Sequence, residues 1–422
     1  MKLLLVSPKF PPFNSNGARR ASKFTRFLLS RGHDVRVLTA RDLPLMSGLN
    51  VEIDPSKITS TPWFNVNFLP ELFFGGKKKV AREGYKGGDA NLKKWSKIYR
   101  MVFHFPDDLI GWYPYATKTG KMIIKEWHPD LIYASGPPFS ALMVAARLHT
   151  LSSIPWVAEF RDLWADNAYY EYPEIRRKLE NLLEKNTLKQ CSSMITVSPP
   201  WSEWMQRKYD RPVETVLNGF DLSDFPPPAG KRNRDPQKLI INYTGAVYLP
   251  YRDPSPLFAA LELLGEEAQS IQVHFFSRYF DHIQTLAEKY QVAHLVTCHG
   301  LVTYWESLQQ QVNADINLLL NRNDEDQFGV IPAKLYEYIG CRRPILAIDT
   351  GHGAAADMIR SRRAGVVMND PSQIAAQLRV WLKEKKGNGS IEPVPVEAQI
   401  GLSRDEQFEI LEGILLKLVK YR

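Results

Sequence analysis

The chain has 422 residues, of which 44% are hydrophobic and 24% are charged, which is ordinary for a globular protein and predicts two or three domains. Its formal net charge of +8 favours an anionic partner, such as a nucleotide, a phosphate or an acidic membrane surface, without choosing among them. The three cysteines form no CxxC pair and no run of about 18 apolar residues occurs, so a disulfide framework, a zinc knuckle and a membrane-spanning helix are not predicted.

The first half of the chain alternates between strand and helix patterns. KLLLVS at 2–7 predicts a buried strand, a helix runs from about Ala18 to Ser30 with Gly32 as its stop, and the next strand lies at 35–39. Strand, glycine-containing loop, helix and strand form a βαβ unit. Further strands are predicted at 131–134, 156–160, 194–197 and 214–217, and helical patterns include 172–190 and 201–209.

A segment rich in proline and charge, LSDFPPPAGKRNRDPQK at 222–238, predicts a linker. After it the alternation restarts, with strands predicted at 239–243, 273–276, 295–298, 315–319, 344–348 and 365–368, and with helices between them. The predicted division is a first domain at 1–221, the linker, a second domain at 239–400 and a C-terminal helix at 401–422, which the predicted fold allows to cross back to the first domain.

The predicted fold class is α/β, with two doubly wound, Rossmann-like domains facing a central cleft. Strands that alternate with helices of this size predict parallel sheets covered by helices on both faces. Ligands of such sheets bind outside the carboxyl ends of the strands. We therefore expect the functional residues in loops that directly follow strands, in both halves of the chain.

Two places in the first half fit this expectation. Gly17 opens the first helix, where it lets a ligand approach backbone N–H groups, although a plain turn glycine has the same appearance. EFRDLWAD at 159–166 follows a predicted strand, so that Arg161 is able to hold a carboxylate or phosphate and Asp162 is able to accept a proton or a hydrogen bond from a hydroxyl. The alternative for Asp162 is a helix N-cap with a salt bridge.

The second half contains two further places of this kind. Gly245 ends the strand in NYTGAVYLPYRD and permits close approach, and Arg252 follows at the head of the next helix, a good position for holding a diphosphate. The alternative for Arg252 is an ordinary surface arginine. No GxGxxG motif follows the first strand and no GxxxxGK[ST] motif occurs, which disfavours a dinucleotide dehydrogenase or a P-loop enzyme.

The stretch FGVIPAKLYEYIGCRRPILA begins at 328, after a polar loop that contains Asp326. Gly329 and Val330 would present free N–H groups ahead of the helix. Lys334 and Glu337 then lie three residues apart on one side of that helix. They fit either a weak surface ion pair or a ligand site in which Glu337 binds a diol and Lys334 binds a phosphate.

Several blocks follow one another over nearly the whole chain. The first half contains LLLVSPKFPP, NGARRASKFTRFLLSRGHDVRVLTA, PDLIYASGPP, FRDLWAD and ITVSPPWSEWM, and the second half contains INYTGAVY, HGLVTYWESLQQQVNADINLLL and IPAKLYEYIGCRRPILA. Their order and spacing resemble the retaining, nucleotide-sugar-dependent glycosyltransferases of family 4, which have the GT-B fold. The P-x-K-x-x-E-Y form is most similar to the subgroup that makes bacterial surface polysaccharides.

The resemblance implies a role for each matching residue. Gly17 matches a glycine-rich loop near the donor sugar and diphosphate, and Asp162 matches a catalytic position on the acceptor side, where we also expect Arg161. Arg252 would hold the diphosphate. Lys334 would reach the diphosphate or the sugar as a second catalytic residue, and Glu337 would bind the ribose hydroxyls of the donor.

One position departs from the family pattern. The family has an E-x7-E motif, and eight residues before Glu337 this chain has Gly329 instead of glutamate. The first glutamate of the motif contacts the donor sugar in the family. We expect Asp326, or the backbone N–H groups of Gly329 and Val330, to take that part.

The implied function is transfer of a sugar, with retention, from a UDP- or GDP-linked donor to a sugar or lipid-linked hydroxyl acceptor. Family members need no protein nucleophile for this reaction, because the leaving phosphate helps to deprotonate the acceptor. No cofactor and no metal ion are expected. The alternatives are a UDP-sugar 2-epimerase on the same fold and a non-catalytic GT-B binding protein.

A basic segment at 77–100, with nine basic residues against two acidic ones, lies next to many aromatic residues. This mixture suits an anionic membrane surface, although a mobile acceptor loop explains it as well. No nucleic-acid motif accompanies it, so no nucleic-acid partner is expected.

The widely spaced cysteines indicate a reducing compartment. The expected location is therefore the cytoplasm, with peripheral attachment to the inner face of the cell membrane.

Overall fold

The structure is a computed structural model that describes residues 1–44, 48–68, 98–167, 170, 172–226, 237–247, 251–278, 280–321, 329–349 and 351–420. The chain divides into two units. The first consists of Met1–Val216 together with Phe408–Arg422, and the second is Leu217–Gln407. Residues 227–236 of the predicted linker lie outside the described residues, so the predicted domain boundaries remain predictions.

The first unit is built on a seven-stranded sheet in the order β3-β2-β1-β4-β5-β6-β7, in which neighbouring strands are parallel. Short runs such as LLLV and WVAEF are buried on both faces, as strands in the middle of a parallel sheet must be. The strands are β1 (Lys2–Val6), β2 (Asp34–Ala40), β3 (Ile58–Thr61), β4 (Leu131–Gly136), β5 (Trp156–Phe160), β6 (Ser193–Thr196) and β7 (Val213–Thr215).

Helices connect these strands. The first begins after Ser15, whose hydroxyl caps it by accepting a hydrogen bond from the Ala18 N–H at 3.1 Å, and its apolar face packs on the sheet through Phe24, Phe27 and Leu28. The helices are α1 (Asn16–Ser30), α2 (Tyr113–Trp127), α3 (Ser140–Ser152), α4 (Glu174–Leu188) and α5 (Pro199–Tyr209). A short helix at 98–103 precedes α2.

The second unit repeats the architecture with a six-stranded sheet in the order β10-β9-β8-β11-β12-β13, again with parallel neighbours. The strands are β8 (Leu239–Thr244), β9 (Ile271–Phe276), β10 (Val296–His299), β11 (Ile316–Leu320), β12 (Ile345–Ile348) and β13 (Gly365–Met368). The helices are α6 (Ser255–Leu264), α7 (Asp281–Lys289), α8 (Tyr304–Asn313), α9 (Ala333–Gly340), α10 (Ala354–Ser361) and α11 (Pro371–Asn388). The prediction of two Rossmann-like α/β domains is confirmed.

The last helix, α12 (Arg404–Lys420), returns to the first unit. Phe408, Leu411 and Leu415 are buried in the core of that unit, and the Phe408 ring lies 5.1 Å from the ring of Phe24. Next to them, Glu412 accepts a hydrogen bond from His33 at 2.6 Å. The fold prediction allowed this helix to cross back, and its packing confirms that it does.

Among the described residues, no helix combines the length and the apolar character that crossing a membrane would require.

Candidate functional site

Each sheet contains one point at which the strand order reverses. In the first unit the chain moves outward from β1 to β2 and β3, then returns to place β4 on the other side of β1. In the second unit β8 has the same position between β9 and β11. The loops that leave neighbouring strands at such a point diverge and leave space for a ligand. The predicted site residues cluster at these two places, one in each unit.

In the first unit Gly17 packs directly against Arg161. A Cβ atom at Gly17 would lie 1.9 Å from Arg161 Nη1, so any larger residue would displace the guanidinium. Arg161 is held there by a hydrogen bond from its Nε to the Ser135 hydroxyl at 2.9 Å, and its Nη2 donates to the Pro137 carbonyl. Gly17 is thus required for close approach, and what approaches it in this structure is Arg161.

Next to this contact lies a buried ion pair of Arg20 and Glu159, which was not predicted from the sequence. Arg20 donates from Nε to Glu159 at 2.9 Å and from Nη2 to the Val216 carbonyl at 3.2 Å. Burial acts to raise the pKa of Glu159, but the charge of Arg20 and a hydrogen bond from Ser135 outweigh it and lower the pKa. Ser135 connects Glu159 to Arg161. The available signal was a glutamate inside an otherwise apolar buried strand, WVAEF.

Asp162 is the second residue after β5 and is partly exposed. Burial raises the pKa of its carboxyl to about 6, against the opposing charge of Arg161. A carboxyl group with this pKa can accept a proton near neutral pH. The N-cap alternative is wrong for the described residues, because the next helix along the chain, α4, begins only at Glu174.

The loop that carries Asp162 is held from two sides. The Trp164 ring stacks on the Phe139 ring at 4.8 Å between centroids, with 4° between the planes. On the other side Glu184 of α4 accepts a hydrogen bond from the Ala165 N–H at 3.1 Å. Lys208 of α5 joins Glu184 and Asp166, at 3.2 and 2.7 Å. Asp162 therefore lies on a loop that its neighbours hold in place from both sides.

In the second unit Gly245 and Lys334 meet at the end of β8. Gly245 has a φ of +134°, and a Cβ atom there would lie 2.6 Å from Lys334 Nζ. Both the backbone conformation and the space therefore favour glycine. Lys334 Nζ lies over the ring of Tyr243, 4.1 Å from its centroid, which is a cation–π contact. Tyr243 was not identified from the sequence, because nothing in its spacing relates it to Lys334.

Lys334 Nζ is buried and has no hydrogen-bond partner among the described residues. Burial and, to a smaller extent, the charge of Arg252 lower the pKa of its ammonium to about 7, against the opposing charge of Glu337. A buried ammonium ordinarily has several hydrogen-bond acceptors around it. A surface ion pair with Glu337, the alternative considered above, does not fit an unpartnered and buried Nζ. This group has the properties of a binding site for an anion.

Arg252 contributes the second positive charge at this place. It lies in the loop between β8 and α6, is partly buried, and donates from Nη1 to the Ala246 carbonyl at 3.3 Å. Its charge is close enough to lower the pKa of Lys334. Two cations that repel each other at the end of one strand are stabilised when an anion binds between them.

Glu337 is oriented by a buried amide. Gln311 of α8 donates from Nε2 to Glu337 Oε2 at 3.0 Å and also lies within hydrogen-bond distance of the hydroxyls of Thr244 and Ser307, at 3.2 and 3.1 Å. Gln311 was not predicted, since it precedes Glu337 by 26 residues and only the fold brings the two together. The arrangement fixes the direction of a carboxylate beside the Lys334 site.

The remaining predicted donor residues precede α9. Gly329 is buried and Val330 is partly buried, while Asp326 lies outside the described residues. Their part in sugar recognition stays a prediction. In the part of the chain that the structure describes, no group of three or more His, Cys, Asp or Glu side chains could hold a metal ion.

Solved structures share this fold over the whole chain. Sucrose-phosphate synthase (tll1590) from Thermosynechococcus elongatus aligns with a TM-score of 0.65 and 13% identity over 100% of both chains. Anabaena Alr3699/HepE in complex with UDP-glucose aligns with a TM-score of 0.61 and 12% identity, over 99% of this chain and 100% of that one. The lipopolysaccharide outer core galactosyltransferase WaaB, in its apo form, aligns with a TM-score of 0.58 and 13% identity over 99% of each chain. At such identities the likeness shows the fold alone.

The sequence itself matches one family. Residues 17–224 match the model of Glycosyltransferase Family 4, a range that includes Gly17, Arg161 and Asp162. A search of curated proteins gave no match. The chain therefore has the GT-B fold, and its residues 17–224 match Glycosyltransferase Family 4.

Proposed function

We propose that this protein is a retaining glycosyltransferase that moves a sugar from a UDP- or GDP-linked donor to a hydroxyl acceptor. The family match and the fold support the transferase class. The observation that carries the proposal is the buried Lys334 ammonium beside Arg252 and Gly245, which has no hydrogen-bond partner among the described residues and therefore favours binding of an anionic group such as a diphosphate. One relative with this fold is described in complex with UDP-glucose.

In the proposed donor site, basic residues bind the diphosphate of the nucleotide-sugar and a carboxylate binds its ribose. Lys334 and Arg252 bind the diphosphate and neutralise the charge that develops on it as the glycosidic bond breaks, a preorganised stabilisation of the leaving group. Glu337 accepts hydrogen bonds from the two ribose hydroxyls, since one carboxylate can accept from a vicinal diol. Gln311 holds that carboxylate in its orientation before the donor arrives.

The proposed acceptor side is the loop after β5. Asp162 accepts a hydrogen bond from the attacking hydroxyl and orients it, and Arg161 lies at the start of the same loop. Retention follows when the leaving diphosphate receives the proton of the acceptor on the face from which it departs, without a protein nucleophile. No metal ion and no cofactor are part of the proposal.

The proposed setting is synthesis of a surface polysaccharide or glycolipid in the cytoplasm, at the inner face of the cell membrane. The form of the α9 motif supports it, as does the lipopolysaccharide galactosyltransferase among the proteins that share the fold. A lipid-linked acceptor fits this setting.

The first test separates transfer from the alternatives. Thermal-shift screening against a panel of nucleotide-sugars identifies the donor, and we expect free UDP or GDP to be released only when a hydroxyl acceptor is added. Isomerised nucleotide-sugar without acceptor would instead indicate an epimerase. Donor binding with no product under any condition would indicate a binding protein and contradict the proposal.

Lys334→Met should weaken nucleoside-diphosphate binding by about tenfold or more at pH 6.5, because a charged hydrogen-bond donor is removed from a buried site. In the wild type a bound diphosphate raises the pKa of Lys334 from about 7, so binding above pH 7 takes up a proton. Affinity should then fall by up to about tenfold per pH unit as the pH rises above 7. Isothermal titration calorimetry in two buffers of different ionisation enthalpy measures both effects.

Lys334→Met weakens diphosphate binding but should stabilise the ligand-free protein. Lys334 has a lower pKa folded than unfolded, so the unfolded chain binds more protons between about pH 7 and 10 and wild-type stability rises with pH there. Lys334→Met removes this dependence and should raise the melting temperature at pH 7. Lys383→Met, at an exposed position of α11, is the matched control. A diphosphate affinity with the wild-type pH dependence in Lys334→Met would exclude Lys334 from the site.

Glu337→Gln should raise the donor KM by about tenfold to a hundredfold and leave kcat within a factor of a few, because charged hydrogen bonds to the ribose form before the transition state and persist in it. Steady-state kinetics with the intact donor and with its 2′-deoxyribose analogue measure this. The variant should lose discrimination between the two donors. An unchanged donor KM would remove the ribose role.

Asp162→Asn should lower kcat by about a hundredfold or more, because the neutral amide is a weaker hydrogen-bond acceptor for the attacking hydroxyl than the carboxylate is. In the wild type activity should fall as the pH drops through about 6, where the raised pKa protonates this carboxylate. Asp107→Asn is the control, since burial also raises the Asp107 pKa to about 6 while its oxygens accept from the N–H groups of Leu109 and Ser140. An acid limb that disappears in the Asp107 variant and persists in the Asp162 variant would contradict the assignment.

A further inference from the structure

Helix α4 in the first unit has a continuous apolar stripe on its solvent side. Ile175, Leu179 and Leu182 are 68%, 51% and 65% exposed. Their spacing of four and then three residues places them on one side of the helix. Single exposed apolar residues are common on protein surfaces, but three in one row on one helix indicate a contact surface.

The exposed side of α4 is mainly basic, because most of its acidic residues are turned inward. Its acidic residues Glu180 and Glu184 face inward, where Glu180 pairs with Arg176 at 2.7 Å and Glu184 pairs with Lys208 at 3.2 Å. In α4, which the structure describes throughout, Glu174 is the one exposed acid, and it lies at the first position. The outer side bears basic residues next to the stripe: Lys178, Lys185 and, at the helix end, Lys189.

A second apolar surface is fixed beside the start of α4. Arg176 donates from Nη1 to the carbonyls of Arg100 and Met101 at 2.9 and 2.7 Å, and so attaches the short helix at 98–103 to α4. That helix exposes Val102 and Phe103, at 56% and 49%. The outer stripe and lysines of α4, together with the exposed residues of 98–103, are called the docking face below.

We infer that the docking face binds the surface of an anionic lipid membrane. Apolar residues in a row with lysines beside them match the arrangement of helices that lie in the membrane interface, where the apolar side chains enter the acyl boundary and the lysines contact lipid phosphates. A second copy of this chain fits less well, because a symmetric contact would bring lysines of one α4 against those of the other. The inference assigns a surface to the membrane setting proposed above, and it does not depend on the transfer reaction.

The docking face is a different element from the basic segment at 77–100 in which the sequence predicted membrane contact. Residues 77–97 of that segment lie outside the described residues, and only 98–100 belong to the docking face. Nothing in the sequence of α4 taken alone indicated a membrane, because its acidic and basic residues are mixed along the chain. The separation of charge becomes visible only when the fold shows which side is buried.

The experiment is flotation of the full-length protein with lipid vesicles. We expect the wild type to bind vesicles of equal parts phosphatidylglycerol and phosphatidylcholine, to bind pure phosphatidylcholine weakly, and to dissociate in high salt, which screens the lysines. Ile175→Asp/Leu182→Asp should reduce the partition coefficient by about tenfold or more, and Lys178→Glu/Lys185→Glu should do the same at low salt only.

The controls place the same changes elsewhere on the surface. Leu263→Asp at the end of α6, where the side chain is 57% exposed, and Lys383→Glu in α11 should leave binding unchanged. Thermal unfolding verifies that each variant is folded, and the exposure of the altered side chains makes that outcome expected. The inference is wrong if the wild type does not float with the vesicles, or if the control variants lose binding equally. It is also wrong if the protein binds no vesicles but forms a concentration-dependent dimer that Ile175→Asp/Leu182→Asp abolishes.

Discussion

The reversal of strand order within each sheet is the constraint from which the candidate site follows. At β1 and at β8 the chain leaves in one direction and returns on the other side, so that the loops at the carboxyl ends diverge. Gly17 and Arg161 lie at the first of these places, and Gly245 and Lys334 at the second. The glycines have no room for a side chain in either case, because a cation already fills the space. Both units thus bring a positive charge against backbone at the position where a parallel sheet binds its ligand.

Arg161 and Lys334 differ in the hydrogen-bond acceptors that the described residues provide for them. Arg161 donates hydrogen bonds to the Ser135 hydroxyl and to the Pro137 carbonyl. The neighbouring buried charges of Arg20 and Glu159 neutralise each other in an ion pair. Lys334 lies over the Tyr243 ring but has no hydrogen-bond acceptor in the part of the chain that the structure describes, and Arg252 adds repulsion. The folded protein therefore bears an electrostatic cost in the second unit, which binding of an anion would remove. Such a cost is typical of groups kept for binding rather than for stability.

The sequence allowed most of the architecture to be predicted, because parallel strands are read as short apolar runs between amphipathic helices. β3 was missed, since ITST at 58–61 lacks such a run and its strand status depends on pairing with β2. Lys334 and Glu337 were found by their spacing, but spacing alone could not distinguish an ion pair from a ligand site. That distinction depends on Tyr243 and Gln311, which lie far away in the chain and were not predicted. The replacement of the first motif glutamate by Gly329 was visible in the sequence, and its consequence for sugar recognition stays a prediction.

Helix α4 connects the two surfaces proposed for the first unit. Its inner side holds the loop of Asp162, since Glu184 accepts the Ala165 N–H while Lys208 joins Glu184 to Asp166. Its outer side is the apolar and basic docking face. Because a helix is rigid over this length, a membrane bound to the outer side would stand at a set distance from the acceptor loop on the inner side. The inward position of Glu184 supports the loop that carries Asp162, while the lysines of the outer side remain exposed. A lipid-linked acceptor would then meet Asp162 from a membrane whose position the same helix determines.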